Sequence, residues 1–219
     1  MASAKKSSGA ARQARIAEMR RAEQARERRN RILVIAASVV VVAGLVAGGV
    51  FVVRSQSGDD TASDAKSSGH FVTGKDGVKT WEGKLGRTHV TKTVKYPTEP
   101  PVGGDHNQVW MNCNGDVYTK ALNNMNAVHS LEHGAVWVTY NSKAAKADVD
   151  ALAAKVKKTP YTLMSPDDSQ KDPIMLTAWA NQRTVTSASD ADVDAFFEKF
   201  VQGAQTPEPG AACTGGLSQ

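Results

Sequence analysis

Residues 97–134 read PTEPPVGGDHNQVWMNCNGDVYTKALNNMNAVHSLEHG and hold three of the chain's five histidines. His106, His129 and His133 offer imidazole nitrogens, Met111 and Met125 thioethers, and Cys113 a thiol. That is nearly the whole ligand vocabulary of a zinc or copper site. His129-Ser130-Leu131-Glu132-His133 also spells H-x-x-E-H, the motif of inverted zinc peptidases. On a helix, residues i and i+4 share a face, so both imidazoles can grip one ion while Glu132 acts as base on a metal-bound water.

The surroundings of the motif argue against a peptidase. Gly134 and a strongly apolar segment follow at once, which leaves the motif on at most a short helical turn. A downstream glutamate ligand can come only from Glu198 or Glu208. Two other readings of the same residues stand beside it. One is a non-catalytic metal site drawn from His106, His129 and His133, with Met111 or Met125 as further ligands. Thioether with imidazole favours copper, and imidazole with carboxylate favours zinc. The other has His129 and His133 hydrogen-bonding backbone groups, because buried polar groups in an irregular segment need partners. His70 and His89 read as exposed and uninformative. A serine-hydrolase elbow G-x-S-x-G is absent, and Gly103-Gly104 and Gly215-Gly216 lack a nucleotide-loop context.

The elements that must position these residues are legible around them. Arg87 to Tyr96 reads as an exposed strand ended by Pro97, Pro100 and Pro101. Gly134 to Tyr140 (GAVWVTY) is apolar on both faces and belongs at the centre of a sheet. Ser142 is expected to cap a helix carrying Val149, Leu152, Ala153 and Val156 at helical spacing. Tyr161 to Ser165, Ile174 to Trp179 and Arg183 to Ser187 read as strands, the last two joined by a turn at Ala180-Asn181-Gln182. A final helix, capped by Asp190, lines Val193, Phe196, Phe197, Phe200 and Val201 on one face and stops at Gly203. The expected fold is α+β: a two-layer sandwich of a mostly antiparallel sheet and two amphipathic helices.

The net charge of +5 is unevenly spread. Residues 1–53 carry 10 Lys and Arg against 3 Asp and Glu, and residues 54–219 carry 17 against 19. Ile32 to Val53 has no charge, and at 1.5 Å per residue it reaches roughly 33 Å, enough to cross a hydrocarbon core of about 30 Å. Arg20, Arg21, Arg26, Arg28, Arg29 and Arg31 crowd its N-terminal side, and Arg54 stands alone beyond it. The positive-inside rule therefore places the N-terminus in the cytoplasm and the rest outside, in a single-pass protein of the cell membrane. The arginines of the arm would meet anionic lipid headgroups. Nothing in the run has the aromatic interleaving of a nucleic-acid surface. The expected organisation is a basic cytoplasmic arm at 1–31, a transmembrane signal-anchor helix at 32–53, a flexible linker at 54–70 and an extracytoplasmic α+β domain at 71–219.

Cys113 and Cys213 both fall in the exported part, where two thiols tend to pair. A Cys113–Cys213 bond would tie the tail TPEPGAAC to the histidine segment. The competing use of Cys113 is as a metal thiolate.

Three segments together resemble a known family: Pro100-Pro101-Val102-Gly103-Gly104-Asp105-His106, the run from Asn126 to Trp137 (NAVHSLEHGAVW), and the run from Gln205 to Cys213 (QTPEPGAAC). The family is the bacterial, membrane-anchored domain of unknown function 3105, and the resemblance covers about residues 85–215. His106, Cys113, His129, Glu132, His133 and Cys213 each match its pattern. The resemblance implies an exported, membrane-tethered domain typical of actinobacteria and supplies no activity. The sequence therefore points to an envelope protein that binds a metal (copper or zinc) or a protein partner without turnover. The alternatives are a metal-dependent hydrolase using Glu132 and an accessory subunit of a membrane complex.

Overall fold

A computed structural model describes residues 69–218. The arm at 1–31, the apolar segment 32–53 and the linker up to residue 68 lie outside them. No helix among the described residues is long and apolar enough to cross a membrane.

Seven strands form one mixed sheet: β1 (His70–Thr73), β2 (Lys79–Glu82), β3 (Asn114–Val117), β4 (Val136–Tyr140), β5 (Thr162–Pro166), β6 (Ile174–Ala178) and β7 (Asn181–Val185). Their order across the sheet is β1-β2-β7-β6-β4-β5-β3. The pairings from β1 to β4 are antiparallel; β4 with β5 and β5 with β3 are parallel. Among the described residues three helices complete the α+β fold: α1 (Asn124–Glu132), α2 (Lys146–Val156) and α3 (Ala191–Phe200). The parallel β4–β5 pair requires a crossover, and α2 is that crossover.

The sheet is covered on both faces, which corrects the two-layer expectation. Along β4, Val136 and Val138 join a core with Leu152 and Val156 of α2 and Val193, Phe196, Phe197 and Phe200 of α3. Trp137, on the opposite face by the period of two, joins a second core with Leu131 and Val128 of α1, Leu163 and both cysteines. A strand apolar on both faces demands such double cover, and α1 supplies the half that was not expected.

Local chemistry accounts for the element ends. The Asn123 side chain accepts the Met125 N–H at 2.9 Å and starts α1. Asp190 does the same for α3, accepting the Asp192 N–H at 3.0 Å. Ser142 does not cap α2: the helix begins later, with Ala145 at the N-cap and no side-chain capping bond. The turn between β6 and β7 is the pair Trp179-Ala180, with Ala180 at φ +59°, so β7 begins two residues earlier than its composition suggests. Arg87 to Tyr96 is not a strand of the sheet; it makes one isolated parallel bridge, His89 to His106.

Candidate metal centre

The H-x-x-E-H motif lies on the last turn of α1, a nine-residue helix rather than a single turn. Every residue from Met125 to Glu132 is buried, polar ones included. Those polar side chains stitch the preceding loop to the helix. The Ser130 hydroxyl donates to the Met111 carbonyl at 2.8 Å and accepts the Met111 N–H at 3.1 Å. The Asn126 amide donates to the Val109 carbonyl. The loop is thus irregular yet satisfied, as a buried backbone must be.

Three histidines are fixed in one way. His106 Nδ1 donates to the Gly104 carbonyl at 2.8 Å, His129 Nδ1 to Asn107 at 2.7 Å, and His133 Nδ1 to Ala212 at 2.8 Å. A carbonyl oxygen only accepts, so each Nδ1 carries a hydrogen, and in the neutral ring Nε2 keeps a lone pair that can bind a cation. Metal-bound histidines are oriented by this same bond.

Ligand atoms of these rings and of nearby carboxylates converge. One ligand atom from each of His89, His106, His129 and Glu132 lies within 4.8 Å of every other. A second group, His129, His133 and Glu208, meets the same limit. His129 is common to both. The three sequence candidates are therefore brought close but divided: His106 sits in the first group, His133 in the second. His89, read as uninformative, belongs to the first. It is exposed, and the backbone bridge to His106 holds the two rings 5.0 Å apart. No neighbouring motif marks it in the sequence, because the partner strand segment lies far along the chain.

Glu132 closes the first group from below. Its side chain is 1% exposed; Oε1 accepts from Arg87 Nε at 2.9 Å. Its Oε2 lies 2.9 Å from His106 Nε2, within ion-pair distance, and both atoms are enclosed. A proton or a cation between the two atoms accounts for so close an approach.

Electrostatics keeps the rings ready for a cation. Burial, then the neighbouring His133, His106 and His89, pushes His129 down to about 4 against the pull of its Asn107 hydrogen bond. Burial also lowers His133, outweighing its Ala212 bond and the nearby carboxylates. For Glu132 burial opposes ionisation, but the facing His106 ring and then Arg87 outweigh it and hold the carboxyl below its ordinary value.

The remaining candidates are placed as follows. Met111 packs in the core with Leu131 and Trp137, and Met125 is buried at the start of α1. Cys113 and Cys213 are bonded to each other, which removes the metal-thiolate use of Cys113. The bond moors the tail whose Ala212 carbonyl orients His133. Glu208 reaches the second group from the same tail, its Oε2 3.8 Å from His133 Nε2.

No curated protein and no solved structure matches the chain. A family described as "Protein of unknown function (DUF3105)" matches residues 89–215, more than half of the sequence and the whole stretch from His89 through the Cys213 tail. The chain belongs to the DUF3105 family.

Proposed function

We propose that this is a cation-binding domain, holding one divalent d-block ion, zinc or copper, among His89, His106, His129 and Glu132. One observation carries the reading: His106 Nε2 and Glu132 Oε2, both buried, approach to 2.9 Å, and ligand atoms of His89 and His129 converge on them within 4.8 Å. An ion can take the place of the proton between them, and the converging donors of His129 and His89 complete an N₃O set of the type both metals accept. Binding without turnover fits Glu132, whose two oxygens are already engaged by Arg87 and the His106 side of the cluster.

A hydrolase is the second reading, favoured by one observation. Glu208 joins His129 and His133, which gives H-x-x-E-H the downstream carboxylate it needs. In that scheme Glu132 would be the base, a role at odds with its burial and its pairing with Arg87.

The domain is further proposed to sit outside the cell membrane, tethered by residues 32–53, with the basic arm on anionic headgroups. Such a tether suits an accessory subunit or a partner-facing envelope protein equally. The apolar run and the one-sided arginines support this placement.

Metal analysis of the purified full-length protein, with His106→Gln and His129→Gln beside it, tests the binding reading. Near one equivalent in the wild type and loss in both variants is expected; a metal-free wild type after dialysis against zinc and copper would overturn it. Protease accessibility of residues 70–219 in intact cells stripped of their wall tests the placement, with digestion from outside expected.

A further inference from the structure

His129 belongs to both groups of ligands, and this sharing has a chemical limit. Its Nδ1–H is committed to the Asn107 carbonyl at 2.7 Å, so the ring has a single lone pair, on Nε2. One lone pair binds one ion. The position among His89, His106, His129 and Glu132 and the position among His129, His133 and Glu208 cannot both be filled through it.

The two positions also differ in character. The first has four donors, with His106 and Glu132 wholly enclosed. The second has three, and its Glu208 side chain is 42% exposed. Three protein ligands leave a coordination place for water or for a donor atom from outside. The rings lie in sequence, His133 to His129 at 4.5 Å and His129 to His106 at 4.8 Å between centroids. The tail that carries Glu208 is moored to the same helix end, because the Glu208 N–H donates to the Glu132 carbonyl at 3.0 Å.

We infer that the domain holds a single ion in two overlapping positions, with His129 passing it between an outer His129/His133/Glu208 site and an inner site that includes His106 and Glu132. The inference rests on the cation-binding reading proposed above for the same cluster. The outer triad is where an incoming divalent ion, still carrying water or a small chelator, exchanges those ligands for protein ones. The inner set, with one more donor, is the resting place. The domain is then built to take up and hand on an ion rather than to store several.

Cobalt(II) as the probe, with the full-length protein in detergent, tests this by titration and by stopped-flow absorbance. The wild type is expected to saturate at one equivalent. Glu208→Gln and His133→Gln are expected to reach the same stoichiometry and the same final visible spectrum, but to load more slowly, on the order of tenfold. Glu208 is half-exposed, so its variant leaves the fold in place. Two equivalents in the wild type, a final spectrum changed by Glu208→Gln, or both variants loading at the wild-type rate would overturn the inference while leaving the cation site standing. A wild type that binds no cobalt would overturn both.

Discussion

His106 Nε2 and Glu132 Oε2 are 2.9 Å apart in a place that water does not reach. The consequence can be measured in the metal-free protein. Glu132→Gln puts an amide opposite the imidazole and lets it donate to His106 Nε2. The metal-free variant is then expected to be as stable as the wild type or more so, by about 1 kcal/mol, while cobalt affinity falls by roughly tenfold or more. Calorimetry in chelator, with a parallel metal titration, separates the effects. A large loss of stability would mean that His106 and Glu132 are an ordinary imidazolium–carboxylate pair.

Acid should weaken the metal-free fold in a defined window. His129 titrates near 4 in the folded chain and near 6.5 unfolded. Between those values the unfolded chain binds more protons, so stability falls as pH drops from about 6.5 toward 4. The lowered His133 adds in the same direction, and Glu132 adds its own loss further down, as pH passes through its depressed value. Thermal melts from pH 7 to pH 4 in chelator check this; His129→Gln should flatten the slope.

The Cys113–Cys213 bond spans 100 residues. Closing a loop of that length stabilises a fold by up to about 4–5 kcal/mol in the chain-entropy account. Replacing both cysteines with serine is therefore expected to cost several kcal/mol in a denaturant titration. It should also slow metal uptake, since it loosens the tail bearing Glu208 and the Ala212 carbonyl.

Gly134 follows the motif with φ +90°, where only glycine is unstrained. A methyl group there would press on Gln202 and come within 2.7 Å of the Thr206 hydroxyl. Gly134→Ala is expected to destabilise by about 1–3 kcal/mol and to shift the tail, with a lower melting temperature and slower cobalt loading as the readouts.

How much of this could be read from the sequence depended on exposure. Helix α3 was legible because one face is Phe196, Phe197 and Phe200 and the other is polar, so its period shows; β4 was legible because its apolar run is continuous. Helix α1 was not, because its eight residues from Met125 to Glu132 are buried on every side and half of them are polar. A helix without a wet face has no period to detect. Edge strand β1 and its neighbour β2, with one buried residue between them, leave no apolar pattern either. At the site, His106, His129, Glu132 and His133 were found by type and spacing. His89 was not, since a backbone bridge to a segment 17 residues away brings it in, and Glu208 was found only as an arithmetical remainder.

Arg87 sits over Glu132 and cancels the charge of the one carboxylate in the inner set. A divalent ion arriving there keeps most of its double positive charge within largely enclosed surroundings, with imidazole nitrogens as its remaining support. A site meant as a permanent staple would spend more anions on its metal, as calcium and structural zinc sites do. Such a charge count leaves most of the ion's charge uncompensated, so a divalent ion there exchanges more readily than one held by thiolates or by several carboxylates.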